Sequence, residues 1–348
     1  MRVPAYAAAA AGAPLAPFTV ERRDPRPDDV QLDILFCGIC HSDIHQARDD
    51  WAAGLFPMVP GHEIVGRVTR VGPKVTRFKV GDLAGVGCIV DSCGRCDPCR
   101  RGTEQFSTQG AAWTYNSTEM DRTTPTYGGY STAIVVRESF ALRIPAGLDP
   151  AGTAPLLCAG VTTYSPLRQW GVSAGQKVGV VGLGGLGHVG VKLARSLGAE
   201  VTLFSTSPSK QKDSERLGAT GFVLTRAPEA LKAQKGKFDF LLDTVSAPHD
   251  IEAYLSMLRP GGTMVLVGMP PEQLQLRASA LVSGNRRLAG SLIGGIAETQ
   301  EMLDHCGKHR IVADVEIIPI EKVNEAYDRT VKSDVRYRFS IDLASLKK

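Results

Sequence analysis

At 348 residues, with 43% hydrophobic and 22% charged side chains, the chain is long enough for two domains and has the composition of a globular protein. Forty basic and 36 acidic side chains leave a net charge of +4, and the signs are interspersed. With no basic tract to follow a phosphate backbone and no run near the ~20 apolar residues of a membrane span, neither nucleic acid nor membrane is expected as a partner, and a cytoplasmic protein is.

The N-terminal stretch MRVPAYAAAAAGAPLAPF superficially resembles a signal peptide, but Pro4, Pro14 and Pro17 interrupt it and alanine is a weak apolar-region residue. Up to about residue 150 the chain is irregular and rich in Gly and Pro. Its short strand-like pieces are 30-VQLDILFCG-38, 64-IVGRVTRVG-72 and 130-YSTAIVVRE-138, the last alternating with the period of a half-buried strand. This is the texture of a small β-rich domain with long loops. Six of the eight cysteines (Cys37, Cys40, Cys88, Cys93, Cys96, Cys99) lie in this part, and Cys158 and Cys306 stand apart. Such clustering points to metal or catalysis rather than a disulfide framework.

Near Pro155 the texture changes. Residues 177–207 read as strand, glycine turn, helix, a stop at Gly198 and a second strand. Helix 209–219 and strands 238-FDFLLD-243, 262-GTMVLVG-268 and 287-RLAGSLIG-294 follow. Apolar strands alternating with amphipathic helices predict an α/β region built on a parallel sheet covered on both faces. Helical patterns at 297–309 and 321–332 and a strand-like tail, 335-VRYRFSIDL-343, complete the chain.

In 181-VGLGGLGH-188, Gly182, Gly184 and Gly187 match the G-x-G-x-x-G turn between an apolar strand and a helix, with Leu183, Gly185 and Leu186 between them. The first glycine allows the tight turn, the second lets a pyrophosphate approach the backbone, and the third packs helix on strand. An NAD site usually places an acid at the end of the second strand to hold the ribose 2′-hydroxyl. Here 203-LFSTSPSK-210 has none, since Glu200 sits at the wrong end of the strand. Ser205, Thr206, Ser207 and Lys210 are suited to a 2′-phosphate instead, Lys210 by its charge, so NADP(H) is the expected cofactor. Ser207 is also a favoured helix N-cap, and the two roles are compatible.

Cys40, His62 and Cys158 would supply the three ligands a catalytic zinc requires, with Glu63 alongside as a supporting carboxylate or transient fourth ligand, whereas Cys158 as a buried apolar side chain and His62 as a hydrogen-bonded loop histidine are the plainer readings. Scattered through the chain they form no motif by themselves. The ordered set CHSDIH, PGHEIVGRV, CxxCxxC, LLCAGVTTYSPL and VGLGGLGH resembles the zinc-dependent medium-chain alcohol dehydrogenases, in particular their cinnamyl alcohol dehydrogenase-like branch with its bacterial NADPH-dependent aldehyde reductases. The likeness runs from about residue 18 to 343.

That resemblance implies a GroES-like catalytic domain over 1–150, a Rossmann NADP-binding domain over 151–294, and a return to the catalytic domain over 295–348. It assigns Cys40, His62, Glu63 and Cys158 to the catalytic zinc, Asp43 to orienting His62, and Ser42 to contacting the substrate oxygen. His45, with Asp50 as partner, passes the proton onward. Thr162, Thr244, Gly268, Ser291, Leu292 and Ile293 match cofactor contacts, and Trp113 and Trp51 match the substrate pocket, where plain core packing is the other reading. A homodimer joined near residues 287–294 is implied, as is interconversion of primary alcohols and aldehydes, mainly the reduction of aromatic or medium-chain aldehydes.

The sequence 93-CGRCDPCRRGTEQFSTQG-110 departs from the family. Cys93, Cys96 and Cys99 would hold a structural zinc whose fourth position, normally cysteine, is Ser107. A neutral hydroxyl is a poor ligand beside thiolate. Three thiolates completed by water or by Glu104 or Asp97, an easily lost zinc, and an empty lobe are the outcomes, a weakened three-cysteine site being the expectation. Two other functions compete with the main reading. A zinc-free NADPH-dependent reductase of activated double bonds would not need Cys40, His62 and Cys158, and a non-catalytic NADPH-binding redox protein would not need Ser42 and His45.

Overall fold

The computed structural model describes residues 1–51 and 53–347. The chain divides into two compact units, one of residues 1–158 and 294–348, the other of residues 159–293.

The first unit is built around the ten-residue strand Asp29–Gly38, which pairs antiparallel with Ile64–Val71, Ala133–Arg137 and Arg338–Asp342. Leu83–Val86 and Leu142–Arg143 extend the sheet on one side, and Val315–Pro319, parallel to Arg338–Asp342, ends it on the other. Val30, Leu32 and Ile34 are buried along the central strand, as alternating apolar residues on a packed sheet face should be. The registers set up the site. Cys37 lies opposite both Ile64 and Ile341, so 37–40, 62–64 and 338–341 converge at one end of three strands. The N-terminal segment is part of this unit, with Arg2–Ala7 paired to Ala16–Glu21 and Val3, Ala5 and Ala7 buried.

The second unit is a six-stranded, all-parallel sheet. Its spatial order is Gly221–Leu224, Glu200–Ser205, Lys177–Val181, Phe238–Asp243, Leu258–Leu266, Arg287–Gly290. Numbered along the chain this is 3-2-1-4-5-6, the order of a doubly wound dinucleotide fold, in which ligands bind beyond the carboxyl ends of the strands where the order reverses. Phe204, Phe238 and Tyr254 pack edge-to-face at its heart, with centroids 5.4 and 5.9 Å apart. The helix Gly187–Ser196 follows the glycine turn, and Gly198, at φ 87°, turns the chain into the next strand.

Four strands differ from their sequence limits by three residues or more: those expected over 130–138 and 335–343 start only at Ala133 and Arg338. The strand expected from Gly262 begins at Leu258, and the one expected over 287–294 stops at Gly290. After Gly290 the chain leaves the sheet, and Ile293 adopts φ 40°, which no strand can accommodate. No helix among the described residues is long and apolar enough to cross a membrane.

Candidate metal centre and dinucleotide turn

In the first unit, Cys40 begins the helix His41–Arg48 where the central strand ends, and His62 and Glu63 immediately precede Ile64–Val71. Cys158 follows the short helical turn Ala154–Leu157. One ligand atom from each of Cys40, His62, Glu63 and Cys158 lies within 4.8 Å of the others, and all but Cys40 are buried. The four residues that sequence spacing left scattered are therefore brought together.

Asp43, on the first turn of the helix, orients them. Its carboxylate accepts the Cys40 N–H at 2.8 Å and the Gly61 N–H at 3.1 Å, and faces His62 Nδ1 at 3.0 Å. The Tyr130 hydroxyl adds a longer contact at 3.4 Å. With Nδ1 committed to Asp43, the other ring nitrogen of His62 is left to face the thiols. Burial disfavours a charged His62, but the Asp43 carboxylate together with Cys88 and Cys40 outweighs it and raises the imidazole well above its ordinary range. The Cys158 thiol hydrogen-bonds to Cys40 and pulls it well below the usual thiol range, and the same contact pushes Cys158 up. A low-pKa thiolate, a second thiol and a histidine in one buried pocket form the donor set that borderline-soft zinc prefers, and its binding releases their protons.

Sequence reasoning missed Arg338. Its guanidinium forks onto Glu63 at 2.6 and 2.7 Å and onto the Ile39 carbonyl at 2.6 Å, and both side chains are buried. Burial pushes Glu63 up and Arg338 pulls it back toward the carboxylate, so Glu63 is held by an arginine as well as facing the cluster. The one available signal was a basic residue inside the apolar alternation of 335-VRYRFSIDL-343. Cys88, also unassigned from sequence, lies against Cys158.

Ser42 Oγ is 3.6 Å from Cys40 Sγ. His45, one turn further on, places Nδ1 2.8 Å from Asp50 and stacks on Trp51 with centroids 4.9 Å apart. Trp51 is 46% exposed, so it is no core residue. Trp113 is half-buried on a short strand opposite Ile89.

The three-cysteine lobe is a second, separate cluster. Cys93 and Cys96 approach Cys99 at 3.8 and 3.3 Å. Ser107 Oγ sits 3.4 Å from Cys93 and 3.8 Å from Cys96, so the serine occupies the fourth corner. The backbone N–H of Cys99 pulls the Cys96 thiol down to about 5. Neither carboxylate considered as a substitute turns inward. Glu104 accepts the Ile296 N–H at 3.0 Å, and Asp97 is exposed and paired with Arg101.

In the second unit, Gly182 has φ 90°, and a Cβ on Gly187 would lie 2.0 Å from the Gly182 carbonyl oxygen. A Cβ on Gly184 would meet nothing within 4 Å. The first and third glycines thus shape the turn, and the second leaves a clear face for a ligand. Thr244 donates to the Val181 carbonyl at 2.8 Å, pinning the turn to the neighbouring strand. Lys210 reaches the Leu183 carbonyl at 2.6 Å, which brings a cation to the same turn. Ser205 is buried and accepts the Ser207 N–H, whereas Thr206 is exposed. Thr162 Oγ is buried without a hydrogen-bond partner, the kind of orphan that a ligand hydroxyl or amide would satisfy. Gly268 has no room for a side chain against Val245, Leu292 is exposed and Ile293 buried.

The alcohol dehydrogenase GroES-like domain matches residues 26–146 and the zinc-binding dehydrogenase domain matches residues 185–308. The chain belongs to the zinc-binding alcohol dehydrogenase family. It is 54% identical over 328 residues to the probable formaldehyde dehydrogenase AdhA of Bacillus subtilis (strain 168), covering 94% of each. To NADP-dependent alcohol dehydrogenase C 1 of Mycolicibacterium smegmatis it is 53% identical over 346 residues, 99% of each. Its fold matches a cinnamyl alcohol dehydrogenase of Sorghum bicolor with a TM-score of 0.95 at 43% identity, covering 99% of this chain and 98% of that one.

Two outcomes test these geometries. Gly187→Ala should cost roughly 2 kcal/mol or more through its clash with the Gly182 carbonyl, whereas Gly184→Ala should leave the melting temperature unchanged and weaken dinucleotide binding; thermal scans with a binding titration separate them. Ser107→Cys should add about one zinc ion per chain by metal analysis and raise the melting temperature by several degrees. No gain in either would show that a fourth thiolate is not what the lobe lacks.

Proposed function

We propose that the chain is a zinc-dependent oxidoreductase that interconverts primary alcohols and aldehydes with NADP(H), working mainly as a reductase of aromatic or medium-chain aldehydes. The observation that carries this reading is the convergence of Cys40, His62 and Cys158 in a buried cluster backed by Asp43. The names of the relatives supply the reaction class, one of them the NADP dependence and another the aromatic substrate. The unit of residues 1–158 and 294–348 serves as the catalytic domain and that of residues 159–293 as the NADP-binding domain, which puts the boundary expected at 150/151 just after Cys158.

When bound, zinc supplies Lewis-acid polarisation of an alcohol or carbonyl oxygen, and NADP(H) supplies or accepts the hydride. Cys40, Cys158 and His62 hold the metal, and Glu63 is kept in reserve by Arg338. Asp43 fixes the His62 tautomer and makes the ring a stronger donor toward the metal. Ser42, beside Cys40, exchanges the proton of the substrate oxygen. His45 stands three residues along the same helix, on the same face, and relays that proton to solvent. Because Asp50 takes the Nδ1 side of His45, the exchanging nitrogen is Nε2. Trp51, stacked on His45 and exposed, and Trp113 offer aromatic surface to the substrate. Gly182 to Gly187 cradle the pyrophosphate at the start of a helix, and Ser205, Thr206, Ser207 and Lys210 hold the 2′-phosphate. Thr162, Thr244, Gly268 and residues 291–293 complete the cofactor site. A cytoplasmic homodimer joined along Arg287–Gly290, the last strand of the parallel sheet, fits the same reading.

Metal analysis combined with NADPH and NADH oxidation against benzaldehyde, a medium-chain aliphatic aldehyde and an enone tests the proposal. Zinc in the protein, aldehyde-dependent oxidation and a clear preference for NADPH are expected. Cys40→Ala should abolish turnover and leave NADPH binding intact. Enone reduction without metal, binding without turnover, or a preference for NADH would each overturn the corresponding part.

A further inference from the structure

In the second unit, residues 243–249 form a loop wedged between two glycine turns. A Cβ on Gly182 would meet Val245 Cγ2 at 2.9 Å and Thr244 Oγ1 at 3.0 Å, and a Cβ on Gly268 would meet the Val245 carbonyl oxygen at 2.4 Å. Val267 and Gly268 donate their N–H groups to the Asp243 carbonyl at 2.9 and 3.2 Å. Asp243 ends the fourth strand in chain order, beside Val181, which ends the first. The loop therefore lies at the carboxyl edge where such folds take their dinucleotide, and its position fixes the room left at the phosphate-binding turn.

His249 closes this loop on itself. Its Nε2 lies 2.8 Å from the Asp243 carboxylate and its Nδ1 lies 2.8 Å from the Ala247 carbonyl. The other carboxylate oxygen of Asp243 accepts the Val245 N–H at 3.1 Å. Both ring nitrogens face acceptors, and only the doubly protonated imidazolium can donate from both. A neutral ring can keep only one of the two bonds; the buried Asp243 carboxylate retains it, and the tie to the Ala247 carbonyl is the one lost, leaving a bare ring nitrogen against that oxygen. The surrounding titratable groups are Asp243, Asp250 at the cap of the next helix, and Tyr254, whose ring stands edge-on to His249 at 5.6 Å. Burial pushes Tyr254 up to about 12, so it keeps its proton across the neutral range. The bond to Asp243 raises His249 above its ordinary value, against its partial burial.

We propose that His249 is a positioning residue for the dinucleotide: as an imidazolium it ties the 243–249 loop back onto Asp243, holds Thr244 and Val245 against the glycine turn, and makes NADP(H) affinity fall when the ring loses its proton. The inference rests on the dinucleotide reading above. Because the folded-state value is raised, the contribution is complete below the ordinary histidine range and is lost as pH climbs through the raised value.

The test is NADPH binding by fluorescence titration, with kcat and KM, for the wild type, His249→Gln and His249→Arg from about pH 6 to pH 9. At the acid end His249→Gln should raise the Kd and KM for NADPH about five- to tenfold and change kcat by less than about twofold. Expressed as a ratio to wild type, so that titrations common to both cancel, the defect should shrink toward unity at the alkaline end. His249→Arg carries a permanent charge, and its affinity should surpass that of wild type there. A ratio constant across pH, or an unchanged Kd in both variants, would reduce His249 to a packing residue and overturn the proposal. If the glutamine variant does not fold, the arginine-to-wild-type ratio decides alone. Wild-type protein that binds neither NADPH nor NADH at any pH would overturn the dinucleotide reading itself.

Discussion

An ionised carboxylate with no exposure loses several kcal/mol of hydration and is tolerated only where donors surround it. Asp43 is such a group, and the donors it gathers come from pieces of chain that would otherwise have no reason to meet: the Cys40 N–H, the Gly61 N–H, the His62 ring and the Tyr130 hydroxyl. Each charge-assisted bond contributes roughly 1.5–3 kcal/mol, enough together to offset the burial. The arrangement of the first unit depends on this exchange. Satisfying Asp43 places a cysteine and a histidine on two neighbouring strand ends at ligand distance, before any metal is considered. The C-terminal strand adds a second buried ion pair, Arg338 with Glu63, on the other side of the cluster.

In the second unit the corresponding constraint is steric. A side chain on Gly187 would strike the Gly182 carbonyl, and one on Gly182 would strike Val245 and Thr244, so neither position tolerates a side chain and the strand, turn and helix are locked by contact. Gly184 meets nothing, and Thr162 keeps a buried hydroxyl with no partner. Gly184 is exposed, so a ligand can approach the backbone there, and a buried hydroxyl such as that of Thr162 is rarely left unpaired.

What could be read in the sequence follows the range of the interactions. Apolar alternation is local, so the strands ending in Gly38, Val71 and Asp243 and the helices Ile296–His309 and Val323–Val331 were legible from periodicity. The glycine turn was legible because its three constraints fall within six residues. Gly221–Leu224, only four residues with two partly buried faces, carries no such signal, and its place in the sheet is set by parallel pairing to Glu200–Ser205. The cluster of Cys40, His62 and Cys158 became visible only through family resemblance, because antiparallel register and a distant turn bring it together. Arg338 escaped for the same reason: its partner is 275 residues away. Ser107 was recognised as the odd residue of its lobe, but only packing showed that Glu104 is spent capping another helix.

The two units use one device to opposite ends. Each sets a histidine against a buried aspartate, His62 against Asp43 at 3.0 Å and His249 against Asp243 at 2.8 Å. In both, the carboxylate favours a protonated ring, and the difference lies in what the second nitrogen faces. Beyond His62 stands a low-pKa thiolate, a soft anionic donor that a divalent cation can share, so a metal can take the place of that proton. Beyond His249 stands the Ala247 carbonyl, a backbone acceptor fixed within the same short loop, and only a proton can bridge that gap. The first pair is therefore built to exchange its proton for a metal, and the second to keep it. One aspartate–histidine contact thus serves chemistry in one unit and shape in the other, and the atom opposite the free ring nitrogen decides which.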